Sequence, residues 1–298
     1  MGKVPRFLWS MILILIISLG GFGTLGYSQE REPDVRFVPT PNEVVMEMLK
    51  MARVTANDIV YDLGCGDGRF VITAAKLFGA RGVGIDIDPV RIQESTENAR
   101  KAGVSDRVKF IQYDLFKAAI SEATVVALYL ETDLNLKLRP KLLRDLKPGT
   151  RIVSHEFDMD DWKPDNSGRV LNVELYYQPN VPSKKDTDYY YWVVPANVAG
   201  AWRWGLSTSA GKEDFTLRLT QQFQEIRGEI QVKGRKASIG DARLAGDQIS
   251  FTFNDETKKQ KTGMRFMGRI SGDAIKGDVE IQGGPSAGNY SWNAKRGL

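Results

Sequence analysis

The run Asp62-Leu63-Gly64-Cys65-Gly66-Asp67-Gly68 sets glycines at every second position behind an acidic residue. The preceding Asp58-Ile59-Val60-Tyr61-Asp62-Leu63 is short and apolar, which predicts a buried strand. Phe70 to Phe78 reads as a helix that Gly79 stops. A strand, a Gly-x-Gly-x-Gly turn and a helix together let backbone press against a ligand. The glycines carry no side chain, and a helix start offers free N–H groups and positive potential. The spacing differs from the Gly-x-Gly-x-x-Gly of dinucleotide-binding turns. Asp86 closes a second strand, Arg81 to Asp86, about twenty residues on, where open α/β folds place the acceptor for a ribose diol. Asp114 follows a third strand, Val108 to Tyr113. Ionised carboxylates only accept hydrogen bonds, so acids at these strand ends suit a ligand that brings donors. The competing readings are local. Asp86 could cap the next helix, although Asp88 beside Pro89 is better placed to do so, and Asp114 could be a turn residue.

A fourth strand, Thr124 to Leu130, runs into Leu128-Tyr129-Leu130-Glu131-Thr132-Asp133. Open α/β sheets build their sites at the carboxyl ends of strands. Tyr129 and Glu131 are therefore the candidate catalytic pair, able to orient or deprotonate an acceptor. The plainer reading makes Tyr129 core and Glu131 a helix start. His155, the single histidine, lies near the end of a fifth strand, Thr150 to Phe157. It is either a satisfied structural residue or a neighbour of the acceptor. Cys65 has no base in the sequence beside it and reads as a small packed residue rather than a nucleophile. Asp158, Asp160 and Asp161 form an acidic turn. Trp162 and Lys163 do not fit a calcium loop, so no metal is expected.

The elements that must position these residues alternate. Thr40-Pro41-Asn42-Glu43 reads as a helix start, with Thr40 as cap, Pro41 in the first turn and Glu43 completing a capping box. Asp88-Pro89 opens a helix that ends near Gly103. Leu134 to Leu146 reads as helical, with Pro140 expected to break or restart it. This β-α-β-α order predicts an α/β class: a Rossmann-like, doubly wound, mostly parallel sheet over residues 37–196. Val170–Tyr177 and Tyr189–Val194 predict an antiparallel hairpin at its edge.

From Val198 the pattern changes to seven short strands and turns, predicting a C-terminal all-β barrel or sandwich over 198–298. Arg243-Leu-Ala-Gly-Asp-Gln-Ile249 echoes Arg269-Ile-Ser-Gly-Asp-Ala-Ile275, and each Gly-Asp marks a hairpin turn. Trp202, Trp204, Trp292, Phe251 and Phe253 recur at period two. That fits a core, or alternatively an exposed face for a glycan or peptide.

The 298 residues carry 42% hydrophobic and 26% charged side chains, a globular balance. A net charge of +4 is too mild to argue for a nucleic-acid partner, and a single cysteine excludes an intramolecular disulfide. Lys3 and Arg6 precede an uncharged run from Phe7 to Gln29, with an apolar centre. Residues 1–28 therefore predict a cleaved signal peptide, a retained membrane anchor, or a start codon assigned too early. In either export case the charge bias places the rest of the chain outside the cytoplasm or at the membrane.

Asp62-Leu-Gly-Cys-Gly-Asp-Gly-Arg69, Gly84-Ile-Asp-Ile-Asp-Pro89 and Gln112-Tyr-Asp-Leu115 resemble the first three motifs of class I S-adenosylmethionine (SAM) dependent methyltransferases. The upstream Val38-Pro-Thr-Pro41 and the Asp-Gly-Arg ending resemble a narrower group, the FAM173-like protein-lysine methyltransferases and their bacterial relatives. The resemblance covers about Phe37 to Pro195. It implies SAM as cofactor, with Gly64 and Gly66 against its methionine and ribose, Asp62 on the ammonium, Asp86 on the ribose hydroxyls and Asp114 on the adenine amino group. It implies that Thr40 and Pro41 close over the cofactor, and that the methyl acceptor is a protein lysine amine. A small-molecule acceptor is the alternative activity, and an exported, non-catalytic binding protein on the same fold is the alternative without activity. An outward-facing enzyme would also be separated from SAM, which is made in the cytoplasm.

Overall fold

A computed structural model of the chain describes residues 32–178, 181–255 and 262–297. The predicted export or anchor segment, residues 1–28, lies outside them. Among the described residues no helix is long and apolar enough to cross a membrane.

Helix α1 (Asn42–Met51) precedes β1 (Ile59–Leu63), α2 (Arg69–Phe78), β2 (Arg81–Asp86), α3 (Pro89–Ala102) and β3 (Val108–Gln112). Then come β4 (Val125–Leu128), α4 (Thr132–Asp145), β5 (Arg151–His155) and the hairpin β6 (Asn166–Gln178) and β7 (Val181–Val193). These strands form one sheet in the order β3-β2-β1-β4-β5-β7-β6. β1 to β5 pair in parallel, while β7 joins β5 antiparallel. The α/β class predicted from the sequence is therefore the one observed. The central strands are mostly apolar because helices cover both faces; all four residues of β4 are buried. The strand order reverses between β1 and β4, the place where such sheets open a ligand crevice.

Several local expectations are corrected. Thr40 does not cap α1. Pro41 is the cap residue, with no side-chain hydrogen bond, and its carbonyl accepts from Val45 N at 3.0 Å. The capping box therefore does not form. Pro140 does not break α4, which runs through it from Thr132 to Asp145 with Leu138, Lys141 and Leu142 buried. Burial of that face outweighs the one backbone bond that proline removes. The hairpin strands are longer than expected and bulged between Val170 and Val173 and between Leu175 and Gln178.

The second sheet holds β8 (Gly200–Thr208), β9 (Gly211–Gln222), β10 (Glu225–Val232), β11 (Arg235–Ser238) and β12 (Gly240–Ala245). It continues with β13 (Gln248–Asp255), β14 (Thr262–Ser271), β15 (Ala274–Gln282) and β16 (Gly288–Arg296). All pairs are antiparallel, in the order β11-β10-β9-β8-β16-β15-β14-β13-β12. The two edges approach each other: Ile239, between β11 and β12, donates its N–H to Gly228 O of β10 at 3.0 Å. The sheet is thus a nearly closed barrel rather than a sandwich. The sequence does not predict β11 and β12, because neither carries the buried alternation of its neighbours. The period-two aromatics are core. Trp204, Phe215, Phe251, Phe266 and Trp292 are all at most 5% exposed and their rings interlock, so they form no exposed binding face. Both Gly-Asp repeats are two-residue turns, and in each the aspartate binds an arginine of another strand: Asp247 with Arg269, Asp273 with Arg296.

The two sheets meet through a few aromatic residues. Trp162 is fully buried and stacks on Phe223, ring centroids 5.6 Å apart. Its Nε1 donates to Gln224 Oε1 at 2.9 Å, and Gln224 Nε2 donates back to Lys163 O at 2.7 Å. Arg139 of α4 packs over Phe223, its guanidinium 5.2 Å from the ring centroid. Removing so large a buried aromatic as Trp162 costs about 3–5 kcal/mol. Trp162→Ala should therefore lower the urea unfolding free energy by that amount and Gln224→Ala by about 1 kcal/mol. A Trp162→Ala loss below that of Gln224→Ala would contradict this account of the junction.

Candidate functional site

Asp62, Asp86 and Asp114 stand at or just past the carboxyl ends of three adjacent strands. Asp62 is in β1, whose last residue pairs with Ile85; Asp86 ends β2 opposite Gln112; Tyr113 N then donates to Asp86 O at 2.9 Å, which brings Asp114 beside it. Asp86 does not cap α3. Asp88 does, its Oδ1 accepting from Val90 N at 2.8 Å. Asp86 instead ties the glycine loop to β2, with Oδ2 accepting from Gly66 N at 2.9 Å and Oδ1 from Asp88 N at 3.0 Å. Asp114 does shape a turn, accepting from Phe116 N at 2.9 Å. Cys65 is buried, its thiol pushed up by burial and by Asp62 and Asp86, which fits packing and not nucleophilic attack.

The loop backbone explains its glycines. Gly66 has φ +52°, and a Cβ there would run into the Phe37 ring; Gly68 has φ +78° and caps α2 against Phe110 and Ser95. Phe37 thus lies across the loop at Gly66, with the Arg91 guanidinium 4.8 Å from the centre of its ring. The strap that carries Phe37 is fastened by Arg69. Its Nη1 donates to Thr40 O at 2.9 Å while its Nε donates to Asp67 Oδ1, also at 2.9 Å. Thr40 and Pro41 are therefore brought to the loop through main chain, and the Asp-Gly-Arg ending is the clasp. Asn98 of α3 adds a bond to Asp67 O at 3.0 Å.

On the other side of the strand-order reversal, Tyr129 meets a residue that carries no signal in the sequence. Its hydroxyl donates to Glu156 Oε2 at 3.2 Å, and its ring lies 4.0 Å from that of His155, centroid to centroid. Glu156 follows β5 with φ +64°, a left-handed conformation rare for a side chain-bearing residue and enriched at functional sites. Glu131 is not brought into this group. It is exposed and serves as the backbone cap of α4, its carbonyl accepting from Leu134 N and Asn135 N at 3.0 Å each. His155 is fully buried, with Nε2 2.9 Å from Thr187 Oγ1, and Nδ1 has no partner among the described residues. Leu130 bridges the two halves, since a Cβ on Gly64 would sit 3.1 Å from its Cδ2. Neither Phe37 nor Glu156 stands in a periodic pattern; only the glycine spacing hints that something must lie across the loop. Among the described residues no group of His, Cys, Asp and Glu is placed to hold a metal ion.

The electrostatics test whether SAM fits. Burial raises the Asp62 carboxyl to about 8, and the charges of Asp86 and Asp67 push it the same way; Arg69 only partly offsets them. A desolvated group of acceptors short of positive charge suits a ligand that brings an ammonium and donor hydroxyls, as SAM does. His155 moves oppositely: burial lowers it to about 4, with Lys185 adding to the fall and Glu156 opposing it. Both shifts make stability depend on pH. Unfolded Asp ionises near 3.9, so the Asp62 contribution is fully present below about pH 4 and is lost as pH rises to about 8. The contribution of His155 is present above its unfolded value of about 6.5 and is lost as pH falls to about 4. The two trends oppose each other below pH 6.5, and only the Asp62 loss remains above it. The ligand-free chain should lose up to about 2 kcal/mol between pH 6.5 and 8 through Asp62. Asp62→Asn should flatten that decline in urea titrations; an identical slope in the variant would refute the assignment.

A family profile described as the ANTKMT methyltransferase domain matches residues 62–166. A protein-lysine N-methyltransferase of Saccharolobus islandicus is 52% identical over 143 residues, covering 48% of this chain and 87% of the relative. A human ATP synthase lysine N-methyltransferase is 34% identical over 130 residues, covering 44% of this chain and 55% of the relative. This chain therefore spans most of the archaeal protein but only a little over half of the human one. Among solved structures, an RNA methyltransferase from Salinibacter ruber in complex with S-adenosyl-L-homocysteine is 50% identical, with a TM-score of 0.47, covering 54% of this chain and 96% of that one. The glycine loop, its row of carboxylates and the archaeal relative converge: the chain belongs to the class I SAM-dependent methyltransferases, in the family of the archaeal protein-lysine N-methyltransferase.

Proposed function

We propose that the acceptor is a lysine amine of a protein. The observation that carries this reading is the Glu156 carboxylate, held by the Tyr129 hydroxyl at the end of β5, across the strand-order reversal from Asp62. A carboxylate there attracts an alkylammonium and holds it until its proton is gone, which a neutral oxygen or carbon acceptor would not require. The names of the two relatives point the same way.

The roles divide along the sheet. Asp62 takes the ammonium of the cofactor, Asp86 its ribose hydroxyls and Asp114 its adenine amine. Gly64 and Gly66 let the backbone approach, and Thr40 and Pro41, clasped by Arg69, close the near side. When bound, SAM supplies a methyl group on a sulfonium, which the amine lone pair attacks in line while the S–CH3 electron pair stays on sulfur. Tyr129 and Glu156 orient the amine, and its proton leaves toward Glu156 and then water before attack. Glu131, at the exposed start of α4, makes no hydrogen bond or ion pair with Tyr129 or Glu156 among the described residues, and its part in this proposal rests only on its following β4 in the sequence.

The test is transfer from tritiated SAM by the full chain to total protein of the source cells, followed by hydrolysis. Label is expected in Nε-methylated lysine. Label confined to small molecules would move the reading to a small-molecule acceptor. SAM binding by calorimetry with no label in any fraction would favour the non-catalytic binding protein. Tyr129→Phe should lower kcat by about 10²-fold with SAM affinity unchanged. Glu131→Gln should slow turnover and spare SAM binding; full turnover in that variant would remove Glu131 from the acceptor side.

A further inference from the structure

Glu156 is not left with Tyr129 alone. Lys185 Nζ of β7 lies 2.7 Å from Glu156 Oε1, while Tyr129 holds Oε2. A primary alkylammonium of this chain therefore sits on the carboxylate that the reading above gives to the acceptor amine. We propose that Lys185 is an internal occupant of the acceptor site, a resident lysine that an incoming lysine must displace. This rests on the assignment of Glu156 to the acceptor.

The surroundings are those of an ammonium site with an exchangeable guest. The Glu156 side chain is 19% exposed and that of Lys185 46% exposed. The carboxylate is fixed and largely withdrawn from water, where a lone charge is costly and a cation is needed. The lysine is half in solvent and can leave, since an exposed ion pair contributes little. Aromatic rings wall the place: Tyr129 is stacked 6.0 Å from Phe157 and lies against His155. Such rings favour a cation and the methylenes behind it.

The geometry of the hairpin supplies the means of exchange. β7 pairs with β5 only from Val193 back to Tyr189. Beyond that point, bonds that join this arm to the end of β5 include Asp188 O accepting from Glu156 N at 2.8 Å, Thr187 with His155 at 2.9 Å, and Lys185 with Glu156. The first two lock backbone and a buried ring. The third is a long, flexible side chain whose departure costs no backbone bond. Lys185 can thus swing off while the arm stays in place.

The consequence is competition. An acceptor amine sees only the fraction of molecules in which Lys185 has left Glu156, so its apparent affinity is reduced by that fraction. The probe is n-butylammonium, a lysine side chain without its backbone, titrated by calorimetry into the full chain saturated with S-adenosyl-L-homocysteine. Lys185→Met should bind it more tightly than the unaltered chain, by up to about sixfold. The double variant Lys185→Met/Glu156→Gln should bind it no better than buffer. Lys185→Gln serves as a second variant if the methionine one does not fold, and thermal unfolding with and without S-adenosyl-L-homocysteine checks both. Equal affinity in the unaltered and Lys185 variants, or retained binding in the double variant, overturns the proposal. The two readings fail separately. Methylated protein lysine with equal butylammonium affinity sinks the occupant and keeps the function. The butylammonium contrast without methylated lysine keeps the occupant and sinks the protein acceptor.

Discussion

A carboxylate shut away from water beside two others cannot stay ionised unless something positive joins it, and Asp62 is in that position. Burial and the charges of Asp86 and Asp67 raise it to about 8, while the nearest cation, Arg69, is already bonded to Asp67 and to Thr40. Near neutral pH the fold therefore favours the neutral form of this carboxyl at the end of β1. The glycines of the loop add no side chains to the space around it. Asp86 steadies the loop through Gly66 N, and Arg69 draws the strap against the loop without neutralising Asp62.

The reversal of strand order then divides the polar residues of the crevice into two groups. β1, β2 and β3 hold the carboxylates for the cofactor, while β4, β5 and the hairpin hold Tyr129, His155 and Glu156. β4 pairs with β1, Leu63 opposite Leu128, so the two halves touch at the crevice. A carboxylate therefore stands on each side of the crevice, Asp62 on β1 and Glu156 after β5.

The cofactor half is legible in the sequence because its signals are local. A glycine spacing, an acid at a strand end and a Pro-led helix start each report backbone needs within a few residues, and the structure places Asp62, Asp86 and Asp114 in one row accordingly. The acceptor half is legible only at Tyr129. Glu156 matters through a left-handed backbone and through partners 27 and 29 residues away, neither of which has a periodic trace. Phe37 is fixed by contact with Gly66 and Arg91, again nonlocal. Helix α4 shows the same thing in reverse. The local rule for Pro140 is sound, but the buried face around it, set by distant packing, overrides it. Likewise β11 and β12 are strands because β10 and β13 pair with them, not because their own residues alternate.

A left-handed glutamate persists only if its neighbours leave it no alternative. Upstream, Glu156 is continuous with β5 and its own N–H is bonded to Asp188. Downstream, the next carbonyls are captured in turn: Phe157 O accepts from Ser154 Oγ at 2.6 Å and from Asn135 Nδ2 at 3.2 Å, Asp158 O from Asn135 at 3.2 Å, and Met159 O from Arg139 at 2.7 Å. Three residues later comes Trp162, stacked on Phe223 and bonded to Gln224 of the second sheet, with Arg139 itself packed on Phe223. The segment that aims Glu156 is thus anchored at one end by the parallel sheet and at the other by the barrel. The barrel is therefore tied to the segment that carries Glu156, although none of its strands reaches the crevice through these contacts. Loosening the junction at Phe223 would free the segment that holds Glu156, and would leave the glycine loop, fastened to β2 and to the strap, as it was.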